Sequence, residues 1–180
     1  MTSEMETFLA KVALNFLGTD VDKANKDFAL SKTLVKLCHE LSSVNIIALS
    51  NWRKPLTEAK KEDIGRRLSS FLFHCGVLIH LLDVSPEGFS NDALTQYAEE
   101  FDENYLQDGV LCSMNGISAV VDMVEGLFNV PLLEPGEEPP EPVDCTDEIA
   151  ELLATSFILA ARFDLDIEAL MFNALLIDKF

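Results

Sequence analysis

Apolar residues recur three and four positions apart along almost the whole chain, and no run of alternating or β-branched residues interrupts them. That periodicity commits the chain to an all-α fold, because a helix-spaced stripe cannot bury itself as a strand. The punctuation agrees with it. Gly18 followed by Thr19 and Asp20 reads as a stop and a new start, and Pro55 closes one long segment. Thr57, Thr146 and Asp166 each stand where a capping side chain is wanted. The spacing predicts helices near residues 4–17, 26–51, 58–83, 90–106, 110–129, 147–163 and 167–178. Residues 131–145 carry five prolines, Pro131, Pro135, Pro139, Pro140 and Pro142, together with Gly136 and several Glu, and read as an extended acidic loop.

Sliding the chain against itself exposes an internal repeat. At an offset of 81, Leu68, Phe71, Leu72, Val77, Leu78, Leu82, Asp83 and Val84 fall on Ile149, Leu152, Leu153, Ile158, Leu159, Phe163, Asp164 and Leu165. At an offset of 82, Glu40 falls on Asp122. One repeat would span about 26–88 and the other about 110–180. Neither helix pair can bury its apolar face alone, so both halves are expected to pack as one bundle within a single domain.

Charge narrows the function classes. The chain of 180 residues has a formal charge of −18. Residues 76–150 hold 17 of the 31 acids and no Lys or Arg, whereas 51–75 hold six bases and three acids. Direct binding to nucleic acid or to an anionic membrane needs the opposite balance. The longest uncharged apolar run, Leu68 to Leu82, is too short to span a bilayer, and the N-terminus lacks the basic start of a secretory signal. Cys38, Cys75, Cys112 and Cys145 are widely spaced with no CxxC pair, which suits reduced thiols in a cytoplasmic protein.

The second half contains the residues best suited to chemistry. Asp122 with Glu125, and Glu148 with Glu151, are each three apart, so each pair shares a helix face. Carboxylates from two antiparallel helices could converge on hard divalent cations such as Mg²⁺ or Mn²⁺. The pattern Asp122-Met-Val-Glu125, a spacer, then Glu148-Ile-Ala-Glu151 resembles the all-α nucleotide pyrophosphohydrolases of the MazG and dimeric dUTPase type. Their signature is a helix with ExxE followed by a helix with ExxD. The stretch Arg162 to Ala169, with sequence RFDLDIEA, is similar to the family's passage from that helix to the next. Asp122 stands for a Glu, Glu151 for an Asp, and Val121 for a Glu that often precedes the first motif.

The resemblance implies a Mg²⁺-dependent hydrolase that cleaves a nucleoside triphosphate to monophosphate and pyrophosphate. Asp122, Glu125, Glu148 and Glu151 would be the metal ligands, with Glu125 and Glu148 as the catalytic carboxylates. In the first half the equivalent positions are Glu40, Ser43, Arg67 and Ser70, so that half is degenerate as a metal site and could supply only walls of a nucleotide pocket. Trp52, Arg53 and Lys54 are candidates for base stacking or phosphate contact. The sequence leaves room for a homo-oligomer without specifying one. Two other readings stay open: a relative that binds nucleotide or a protein partner without turnover, and an acidic decoy for a DNA-binding surface.

Overall fold

A computed structural model describes residues 3–16, 23–51, 55–90, 92, 94, 95, 109–128 and 144–177, apart from some side chains within the helices, that of Glu125 among them. Six α-helices and no strand occur among these residues. They are α1 (Glu4–Phe16), α2 (Lys23–Ser50), α3 (Glu58–Leu82), α4 (Gly109–Phe128), α5 (Thr146–Arg162) and α6 (Ile167–Leu175), with a short 3₁₀ turn at Pro86–Gly88. The architecture is an all-α helical bundle. Helices α2, α3, α5 and α4 pack in a ring, each on the next, while α1 and α6 cover α3 from outside. The helix expected over 90–106 and the loop expected over 131–145 lie almost wholly outside the described residues, as do Gly18, Thr19 and Asp20.

Helix α3 lies at the centre. Every residue from Phe71 to Ile79 is buried, because α1, α2, α5 and α6 all lie against this helix. Such close approach needs small residues at the crossings. A Cβ added to Gly76 would lie 2.8 Å from Val12 Cγ1 on α1, and one added to Gly116 on α4 would lie 2.8 Å from Leu41 Cδ1 on α2. Glycine there lets the helices pack at the distance their neighbours set. Gly65 is under less constraint, with Leu170 Cδ2 at 3.6 Å.

The correspondences at an offset of 81 extend to local geometry. Asp83 and Asp164 both adopt left-handed backbone, with φ of 58° and 56°. Around them the hydrogen bonds repeat. Asp83 N–H donates to His80 O at 3.2 Å and Val84 N–H to Ile79 O at 3.0 Å, while Asp164 N–H donates to Ala161 O at 3.2 Å and Leu165 N–H to Ala160 O at 2.8 Å. These bonds satisfy carbonyls that each helix end would otherwise leave unpaired. Two residues later Ser85 Oγ accepts from Glu87 N–H, and Asp166 Oδ1 accepts from Glu168 N–H. Phe89 and Leu170, again 81 apart, are both buried.

Two capping expectations need correction. Thr57 occupies the N-cap of α3 but makes no side-chain cap hydrogen bond. Thr146 is the first residue of α5 instead of its cap. Asp144 supplies the acceptor, taking the Thr146 N–H at 3.0 Å and the Thr146 hydroxyl at 2.6 Å. Those bonds hold the Asp144 carboxyl below its usual pKa. Asp166 does cap α6, accepting from Glu168 and Ala169.

Among the described residues, no helix is long and apolar enough to cross a membrane. Cys75 and Cys145 are buried and Cys38 half-buried, all three as free thiols; Cys112 lies outside the described side chains. Burial pushes the Cys75 thiol far above its ordinary pKa, so it is inert as a nucleophile at neutral pH.

Candidate functional site

In the first half, three of the four positions that match the second half's acids come together. Glu40, on α2, is buried. Its Oε1 accepts from Ser70 Oγ at 3.0 Å and its Oε2 from Arg67 Nη1 at 3.3 Å, both on α3. Arg67 Nε lies 3.4 Å from Asp63 Oδ1, within ion-pair reach though outside hydrogen-bond geometry. Arg66 Nη2 donates to the same Asp63 oxygen. A guanidinium therefore fills the space between the two helices and neutralises the Glu40 carboxylate. This arrangement holds α2 to α3 and has no use for a cation.

The cluster lies on one side of a cleft of about 970 Å³. Its floor is α3 around Gly65 and Ser69, and its far wall is the α5–α6 turn and α6, including Asp164, Asp166 and Asn173. Lys61 Nζ reaches across to Asp164 Oδ2 at 3.3 Å, so an ion pair ties the first half to the second at the mouth. Asp164 is 95% exposed, which makes this pair a weak tether. A cleft of this volume accommodates a ligand of nucleotide size. Its lining mixes Lys61, Arg66 and Arg67 with Glu40, Glu58, Glu62, Asp164 and Asp166, so acids outnumber bases.

In the second half, α4 and α5 pack on each other as α2 and α3 do. Asp122 is exposed on α4, and Glu148 and Glu151 are half-buried on α5. Glu125 belongs to α4, but its side chain lies outside the described residues. No group of three or more His, Cys, Asp or Glu that could hold a metal ion occurs among the described residues. The donor types themselves suit a hard divalent cation, being carboxylates without thiol or imidazole. Trp52, Arg53 and Lys54 also lie outside the described residues.

One further pair of positions behaves alike. His74 Nδ1 donates to Ser70 O at 2.6 Å, since a carbonyl can only accept, and Thr155 Oγ1 donates to Glu151 O at 2.8 Å. His74 and Thr155 are 81 apart, and so are Ser70 and Glu151. Burial holds the His74 pKa below 6.5, against opposing contributions from the Ser70 hydrogen bond and from Glu40. The imidazole is accordingly neutral at pH 7, a buried polar group with a structural bond.

The sequence reading missed the Glu40–Arg67 pair and the Lys61–Asp164 bridge. The surplus of bases over 51–75 was the available signal, since Lys61, Arg66 and Arg67 all come from it. Comparison with protein-family models, with curated proteins and with solved structures gives no match for this chain.

Proposed function

We propose that the chain is a Mg²⁺-dependent nucleoside triphosphate pyrophosphohydrolase with one metal site, formed by Asp122, Glu125, Glu148 and Glu151 in its second half. The observation that carries this reading is the contact of Glu40 with Arg67 and Ser70. Those three positions correspond to Asp122 at an offset of 82 and to Glu148 and Glu151 at an offset of 81, at which the His74 and Thr155 bonds also match. A carboxylate on α4 is thereby expected to face two carboxylates on α5. Carboxylates at those positions make a donor set of the kind that a hard divalent cation takes.

Mg²⁺, or Mn²⁺ in its place, would neutralise the triphosphate and lower the pKa of a water that attacks it. Asp122 and Glu151 would hold the cation, and Glu125 and Glu148 would both hold it and orient a water toward the α-phosphorus, from which pyrophosphate would leave. The first half contributes a wall in place of a second metal site.

The test is pyrophosphate release from a panel of ribo- and deoxyribonucleoside triphosphates, with and without Mg²⁺. Native protein should release pyrophosphate from at least one of them in Mg²⁺ alone, and Glu148→Gln should lower the rate by about a hundredfold or more. No release from any triphosphate would leave a nucleotide- or protein-binding module without turnover.

A further inference from the structure

The cleft between α3 and α6 holds more acid than its ion pairs account for. Glu40 is matched by Arg67, Asp164 by Lys61 and Asp63 by Arg66. Three other carboxylates line it: Glu58 and Glu62 on α3, and Asp166 at the cap of α6. All three are exposed, and none has an ion-pair partner among the described residues.

Ser69 lines the same cleft but is only 3% exposed, and its Oγ has no hydrogen-bond partner. A hydroxyl so buried is ordinarily satisfied, so a ligand group that reached it would remove a standing cost. Glu58, Glu62, Gly65 and Ser69 follow one another at intervals of four, three and four residues, which sets them on one face of α3. The α6 side adds apolar surface from Ala169, Leu170 and Ile177.

We propose that this cleft binds a linear aliphatic polyamine. Charge selects a cation, because the lining holds five acids against three bases in a chain of charge −18. Spacing selects an extended one. Among the described residues no three acids are grouped so as to hold a metal ion, which needs its oxygens within one coordination shell. Glu58 and Glu62 are instead about 6 Å apart along α3, and Ser69 is about 10 Å beyond Glu62. Ammonium groups separated by methylenes fit such a row. The outer ones meet Glu58, Glu62 and Asp166, and the inner one donates to Ser69 Oγ. The methylenes between them lie against Leu170 and Ile177, as the stem of a lysine does on an apolar surface.

The test is isothermal titration calorimetry of the full chain with spermidine, at about 0.15 M salt, which screens diffuse attraction between exposed charges. Native protein should bind one spermidine per chain. Glu62→Gln should weaken binding by about fivefold or more and Ser69→Ala by about threefold, with helix content by circular dichroism unchanged. Glu87→Gln removes the same charge as Glu62→Gln from an exposed position outside the cleft and should leave binding as it is. Glu148→Gln should also leave it unchanged, so this result and that of the pyrophosphate assay stand or fall separately. No binding, or several equivalent weak sites, overturns the proposal. So does a Glu62→Gln or Ser69→Ala protein that binds spermidine as Glu87→Gln does.

Discussion

The two halves place different chemistry at matching positions. In the first, Arg67 and Ser70 close on Glu40 and the cluster is electrically satisfied within the protein. In the second, the matching residues are all acids: Asp122, Glu148 and Glu151. All three positions differ, and the change of charge sign is at one of them: Arg67 makes the Glu40 carboxylate part of a structural ion pair, where the second half has Glu148. On the proposed reading, a common helical frame serves cohesion in one half and ligand binding in the other.

The largest expected effect comes from reversing that charge. Arg67→Glu sets a second carboxylate against the buried Glu40 and removes the bond to it. Stability should fall by about 1–3 kcal/mol, as read by urea unfolding without divalent ions. Millimolar Mg²⁺ should restore part of the loss in the variant and change native stability less. Equal effects of Mg²⁺ on both proteins would show that two carboxylates at these facing positions do not make a cation site.

A smaller effect separates the helix ends. Asp166 caps a nine-residue helix with a bond of 2.9 Å, and Ser85 holds a three-residue turn with one of 3.4 Å. Asp166→Ala should cost about 1 kcal/mol and Ser85→Ala a few tenths. Equal losses would mean that the turn after α3 carries more of the fold than its length suggests.

The smallest effect is a pH dependence confined to the first half. His74 titrates and Thr155, its counterpart, does not. Because burial lowers the folded pKa of His74 below 6.5, the unfolded chain takes up a proton first as pH falls. Its contribution to stability is therefore complete above 6.5 and is lost as pH drops from there toward the folded value. The thermal midpoint should fall more steeply below pH 6.5 in the native protein than in His74→Leu. Parallel curves would remove His74 from the account.

Much of this frame is legible in the sequence, because helical periodicity and an offset of 81 survive changes of side chain. Leu68, Phe71 and Leu72 are buried like Ile149, Leu152 and Leu153, and the Asp83 and Asp164 turns share one backbone geometry. What could not be read has physical causes. The Glu40–Arg67 pair joins residues 27 apart on different helices, and no spacing rule announces such a contact. At the start of α5 the acceptor is Asp144, two residues before Thr146, and both bonds between them are local, so the sequence alone does not say which of the two side chains accepts. As for the candidate site, the sequence marked the acids, and the correspondence with Glu40 supplied the reason to expect them to converge.

The central claim is that one half binds a divalent cation and the other does not. Mn²⁺ titration followed by electron paramagnetic resonance, at an ionic strength that suppresses diffuse binding, tests it directly. One class of tight Mn²⁺ site should appear in native protein, disappear in Glu148→Gln and persist in Ser70→Ala. Native protein with no such site, or a site that survives Glu148→Gln, contradicts the account.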